Sequence, residues 1–291
     1  MAKPVIKRYI SDEKAFEDIK SDFGFLIKKI KNSEFEYDLQ IRDGYFNIYY
    51  KGNSIGKITY KRLLKTYEVS IHHKFVDNKI IDRFKPVLKK KYQIFSIPRK
   101  QLHPLFSSQN LKSMSSMVKK NHFQEEVIYE QMLMTDNVNR DDLIIIDRQV
   151  SDRVSGTKMD LLTLKKNKDS NYQFCVIEVK LGNNPELEGD VIYQGKIIKK
   201  GVNTQLKEYM QRIENNFDDY KTCYEKNLEQ KEELCLITRP KKLKIVPGVL
   251  GAVVVMGYSG IAEKKIEELR KKDPSIRVIQ LSNRLDVKDL N

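Results

Sequence analysis

Residues 159–181 read MDLLTLKKNKDSNYQFCVIEVKL, two apolar runs on either side of a polar, turn-forming segment. Runs of this length, rich in β-branched residues and bounded by Asn, Asp and Ser, form the arms of an antiparallel hairpin. A turn pivoting at Asp169 sets Leu162 opposite Val176 and Asp160 opposite Glu178. Period-two alternation then puts Lys180 on the face of Glu178 and Val176, with Cys175, Ile177 and Val179 on the other face. Directly opposed side chains have Cβ atoms about 4.5–5.5 Å apart, so two carboxylates placed this way repel. A divalent cation between them would turn repulsion into coordination, and hard oxygen donors suit magnesium or manganese. The competing reading is a Lys180–Glu178 pair at a strand end with Asp160 in solvent. A slip of one residue in register would dissolve the opposition altogether.

The rest of the chain sets this hairpin in a larger frame. Residues 10–32 carry Phe16, Ile19, Phe23, Leu26, Ile27 and Ile30 at helical spacing. Alternating stretches follow, punctuated by the turn pairs Asp43-Gly44 and Gly52-Asn53, which predicts a helix on an antiparallel meander. Pro98 and Pro104 in SIPRKQLHPLFSSQ mark the expected boundary between domains of residues 1–104 and 105–291. Beyond it the pattern predicts a helix over 110–134, a buried strand over 143–150, the hairpin, and a long helical region from Val202 into the 220s. Further strands are expected at ELCLITR and VLGAVVVMGY, then an amphipathic helix opened by Ser259 and Gly260 and a last strand at IRVIQLS. The fold class is therefore α/β: a C-terminal mixed sheet flanked by helices, with an N-terminal α+β domain.

Asp160 followed by VIEVKLG, with Glu178 and Lys180, resembles the core of the PD-(D/E)XK nuclease superfamily, the restriction-endonuclease-like fold. The resemblance covers roughly residues 110–285. Met159 stands where many members have proline, and residues 182–201 make a longer link than the minimal core needs, a loop that could lie beside the substrate. The resemblance implies that Asp160, Glu178 and the backbone carbonyl of Val179 bind magnesium, which manganese could replace. It implies that Lys180 orients the attacking water. A glutamate on the preceding helix, Glu125 or Glu126 in FQEEVIYEQML, would complete the metal shell. Gln205 in VNTQLKEYM would position the lysine or a phosphate, although an ordinary surface glutamine fits that position too. The activity implied is metal-dependent hydrolysis of phosphodiester bonds, with DNA favoured over RNA, in phage defence, restriction or repair. Double-strand cutting by this fold commonly uses two copies, so a homodimer is among the implied partners.

The charge distribution points the same way. The chain carries a net +14, and residues 51–100 hold 14 Lys and Arg against only Glu68, Asp77 and Asp82. Such a local excess is the footprint of a polyphosphate partner. Tyr60, Tyr67, Tyr92, His72 and His73 lie among these cations and offer surfaces for base stacking. A solvated lysine-rich face is the bland alternative. No apolar run approaches the roughly 18 residues that span a bilayer, so no membrane partner is expected. The three cysteines, Cys175, Cys223 and Cys235, lack CxxC spacing and neighbouring histidines, which fits a reducing cytoplasm rather than a zinc or disulfide scaffold. Two readings of other classes stay open: a catalytically silent nuclease fold that holds nucleic acid, and an interaction subunit that uses its basic face on an acidic partner.

Overall fold

The computed structural model describes residues 3–33, 36–121, 125–138, 140–153, 158–240, 242–257 and 259–281. The chain forms two compact units, one of Lys7–Gln131 with Thr222–Arg239, the other of Met1–Ile6, Met132–Lys221 and Pro240–Asn291.

In the first unit, α1 (Glu13–Asp22) and α2 (Gly24–Asn32) replace the single helix read over 10–32. Asp12 caps α1 by accepting from the Ala15 N–H at 3.1 Å. The strands are β1 (Tyr37–Ile41), β2 (Phe46–Tyr50), β3 (Asn53–Lys61), β4 (Thr66–His72), β5 (Val87–Lys89) and β6 (Tyr92–Pro98). They form an antiparallel sheet in the order β1-β2-β3-β4-β6-β5, with α3 (Asn78–Phe84) between β4 and β5 and α4 (Leu102–Leu105) after β6. This is the helix-and-meander arrangement expected. Pro98 and Pro104 do not divide domains: Leu105, Phe106, Leu111, Met114 and Val118 share one core with Phe23, Phe46 and Val69. The unit therefore keeps α5 (Ser108–Asn121) and the first residues of α6 (Glu125–Asp136), two helices where one was read over 110–134.

In the second unit the strands β7 (Leu143–Ser151), β8 (Lys158–Lys166) and β9 (Tyr172–Leu181) form an antiparallel meander. The β8–β9 register pairs Leu162 with Val176 and Leu161 with Ile177, as the sequence predicts. Its turn is tied by Asn167, whose side-chain oxygen accepts from the Asp169 and Asn171 N–H groups at 3.0 Å each. After the turn ribbon of β10 (Val191–Tyr193) and β11 (Lys196–Lys199) come α7 (Val202–Asn215) and α8 (Phe217–Glu233), which belongs to the first unit from Thr222 onward. β12 (Ile245–Met256) then enters parallel to β9, α9 (Ser259–Lys272) crosses over, and β13 (Arg277–Leu281) pairs parallel to β12. The sheet order is β13-β12-β9-β8-β7, a mixed sheet flanked by helices.

Val202, Leu206, Tyr209 and Ile213 form the buried stripe of α7. That helix lies so close to β12 that a Cβ on Gly251 would stand 2.7 Å from the Met210 sulfur. Because Gly251 pairs with Val176, the face under α7 is the one that carries Val176, Glu178 and Lys180.

ELCLITR is not a strand. The α8 helix ends there in a Schellman closure, with Leu236 N–H donating to the Lys231 carbonyl at 2.9 Å and Cys235 N–H to the Glu232 carbonyl at 2.8 Å. Cys235 takes the left-handed φ of 54° that glycine usually supplies, so the stop signal is absent from the sequence. Leu234 and Leu236 alternate because both enter the first unit's core.

Candidate active site

The ladder between β8 and β9 runs as far as Leu161↔Ile177. Beyond that pair, side chains take over the cross-strand hydrogen bonds. The Val179 N–H donates to Asp160 Oδ2 at 2.9 Å, and the Asp160 N–H donates to Glu178 Oε1 at 3.3 Å. The two carboxylates thus converge where the strands part. Glu178 is 1 % exposed and Asp160 half-buried. Gln149 of β7, held at a φ of 48°, reaches Asp160 Oδ1 through its amide at 3.4 Å.

Lys180 brings the positive charge. Its Nζ stands 3.2 Å from Glu178 Oε2 and 3.0 Å from Glu186 Oε2, and the side chain is almost wholly enclosed. Glu186 comes from the short helical turn Pro185–Leu187, which Asn184 caps by accepting from the Glu186 N–H. The Gln205 amide donates to Glu186 Oε2 at 3.1 Å and to the Lys200 carbonyl at 2.5 Å, while Lys199 approaches Glu186 Oε1 at 3.6 Å.

The charges set one another's protonation. Burial, then repulsion by Asp160, pushes the Glu178 carboxyl well above its ordinary range. Burial works to lower Lys180, but the surrounding carboxylates, Glu178 foremost, outweigh it and hold the ammonium protonated. Burial likewise works to raise Glu186, and Lys180 outweighs it to keep that carboxylate ionised. Tyr209, whose hydroxyl donates to the Lys158 carbonyl at 2.8 Å, is driven upward by burial and then by Glu178 and Asp160. Lys180 is therefore a cationic hydrogen-bond donor, suited to stabilising an anion rather than to removing a proton.

Of the residues read from the sequence, Asp160, Glu178 and Lys180 come together directly. Gln205 joins them through Glu186, so it braces the lysine's partner rather than the lysine. Glu125 and Glu126 stand in the first turn of α6, one exposed and the other half-buried, in the stretch grouped with the first unit. Glu186, Gln149 and Tyr209 were not foreseen. Asn184-Pro185 announces a turn, but nothing in it marks the next carboxylate as one that returns to the strand.

Two of the expected stacking surfaces are otherwise engaged. Tyr67 is buried with its hydroxyl on Asp22 at 2.7 Å, and Tyr60 donates to Asp18 at 2.7 Å. Arg99 of the basic stretch is clamped by the same two aspartates. Tyr92 remains exposed, beside Lys89, Lys90 and Lys91 at the β5–β6 turn.

Among the described residues no group of three or more His, Cys, Asp or Glu side chains is placed to hold a metal ion. The donors that do converge are two carboxylates, one of them buried and strained by the other's charge. That set fits magnesium, which is commonly bound through one or two carboxylates with waters completing its shell. Among the described residues no helix is long and apolar enough to cross a membrane. No family model, curated protein or solved structure matches the chain.

Proposed function

We propose that the chain is a metal-dependent nuclease of the PD-(D/E)XK type that hydrolyses phosphodiester bonds, with DNA as the favoured substrate. The observation that carries the reading is the convergence of Asp160 and Glu178 where β8 and β9 part, with Lys180 on the same face. A mixed sheet flanked by helices is also what the resemblance implies. Asp160, Glu178 and the Val179 carbonyl would hold magnesium or manganese. Bound there, such an ion supplies Lewis-acid polarisation of a phosphate and acidifies a water. Lys180, kept cationic by its carboxylates, donates to phosphate oxygens as negative charge builds on them. Glu186 and Gln205 fix the direction in which that donor points. Water forms the new bond to phosphorus and the ester bond breaks, leaving a phosphate monoester and a hydroxyl. The basic residues of 51–100 supply affinity for the polyanion.

A fold that holds nucleic acid without cutting it is the second reading. It is favoured by the two ion pairs that already occupy Lys180. Nicking of supercoiled plasmid separates the two. Turnover in magnesium that stops in EDTA and in Asp160→Asn, with nucleic-acid binding retained, supports the nuclease. Turnover by Asp160→Asn at the parent rate refutes the site.

A further inference from the structure

The segment linking Lys180 to α7 carries four large apolar side chains that stand out to solvent. Among the described residues, β10 and β11 pair with each other and join neither of the larger sheets. Ile192, Tyr193, Ile197 and Ile198 are between 55 % and 64 % exposed. Adjacent residues on a strand point to opposite faces, so the ribbon shows apolar groups to solvent on both sides. A lone two-stranded ribbon is marginal in water, and this one is built to persist. Gln194 and Gly195, at φ 49° and 71°, make the tight turn that matches strand twist. At the base, Gly189 and Gly201 pack backbone to backbone: a Cβ on Gly201 would collide with the Gly189 carbonyl carbon. The Gly201 N–H donates to Asp190 at 2.6 Å, closing the neck.

Its chemistry is specific. Residues 191–200 include Lys196, Lys199 and Lys200 and no acid. Lys199 and Lys200 face Glu186 and Glu208, whereas Lys196 sits beside the turn opposite Tyr193. The base of the ribbon is also one carboxylate away from the site, because Glu186 takes Lys199 on one oxygen and Lys180 on the other.

We propose that this ribbon is the part of the site that engages bases: Lys196 meets a backbone phosphate while Tyr193 and the isoleucines stack on or part the bases beside the scissile bond. The proposal rests on the nuclease reading. Positive charge selects a polyanion, and apolar side chains on both faces suit the faces of bases exposed by unstacking. A two-stranded ribbon also has the cross-section of the major groove. The exposed apolar cost is thereby met by the substrate.

The test uses the whole chain carrying Asp160→Asn, expected under the nuclease reading to hold nucleic acid uncut, and a duplex carrying 2-aminopurine at successive positions. Onto it are placed Tyr193→Ala, Tyr193→Phe, and a fourfold Ile192→Thr/Tyr193→Thr/Ile197→Thr/Ile198→Thr change, each shown by thermal melting to be folded. The parent and Tyr193→Phe should brighten 2-aminopurine on binding. Tyr193→Ala and the fourfold variant should lose that signal and bind about tenfold more weakly. Equal brightening and equal Kd in all four, with wild type nicking plasmid, overturns the ribbon's role and leaves the nuclease standing. A wild type that neither binds nor nicks nucleic acid removes both. If the fourfold change leaves DNA binding intact but abolishes a dimer in sedimentation, or flotation with anionic vesicles, the ribbon serves a second copy or a lipid surface, and the proposal fails.

Discussion

Lys180→Ala tests the electrostatic design of the site without reference to activity. The ammonium stands 3.2 Å from Glu178 and 3.0 Å from Glu186, and Glu178 is 1 % exposed. Removing one partner of a buried ion pair costs about 3–5 kcal/mol, because the other charge is left without compensation. Protonation of Glu178, already pushed upward by burial and Asp160, limits the loss, so about 3 kcal/mol is expected at pH 8. At about 2–4 °C per kcal/mol for units of this size, Tm should fall by about 6–12 °C.

The pH dependence has a definite sign. A carboxyl raised in the folded state contributes stability at low pH that is lost as pH rises through its folded pKa, and Glu178 is of this kind. Without Lys180 its pKa rises further, so the loss continues to higher pH and the variant falls further below the parent there. Glu186, held low by Lys180 against the opposing effect of burial, contributes stability above the ordinary carboxylate range that is lost on acidification; the variant forfeits it. Both changes shrink the difference between variant and parent as pH falls. Calorimetry in EDTA at pH 8 and near pH 4.5 measures it. A Tm within about 1 °C of the parent at pH 8, or a gap that widens on acidification, would refute this picture of the lysine.

Glu178→Gln removes the charge that Asp160 repels and leaves Lys180 its Glu186 partner. In EDTA at pH 8 its melting temperature should equal or exceed the parent's while plasmid nicking disappears; a clear fall in Tm would show that the carboxylate is a net stabiliser. Gly201→Ala should force the neck of the ribbon apart, costing about 1–3 kcal/mol and speeding tryptic cleavage at Lys196, Lys199 and Lys200. Digestion at the parent's rate would show that the close glycine packing does not hold the ribbon. Replacing Lys89, Lys90 and Lys91 with alanine should weaken binding to all duplexes alike and flatten the salt dependence, by roughly 0.9 in log K per log salt for each phosphate no longer neutralised. Identical slopes would exclude that turn from the nucleic-acid interface.

The hairpin was legible because two local signals agree. Asn167 to Asn171 is a polar turn with its own side-chain hydrogen bonds, and apolar residues fill the arms on either side, so register follows from sequence alone. Glu186 was illegible because its approach to Lys180 depends on a chain reversal at Asn184-Pro185 and on Gln205 arriving from α7. No spacing rule encodes that meeting. The end of α8 was hidden for a different reason: a cysteine occupies the left-handed position where glycine would have announced a stop. The boundary at Pro104 failed because prolines report local backbone limits, whereas Leu111, Met114 and Val118 report which core their helix enters.

The division of the chain into interleaved rather than successive units has a consequence for how it is made. Residues 7–131 leave the ribosome well before residues 222–239, yet Leu234 and Leu236 belong to the same core as Phe23 and Phe46. At about 5–20 residues per second, the wait between the two is on the order of 5–20 s. Through that interval the nascent first unit lacks its last two core leucines, and β7, β8 and β9, which carry Asp160 and Glu178, are synthesised in the meantime. Ending translation anywhere before Leu236 therefore damages the earlier unit as well as the later one. A library of C-terminal truncations should show no soluble fragment that stops between residues 132 and 234, and two fragments that split the chain at Gln131 should regain structure only when both are present.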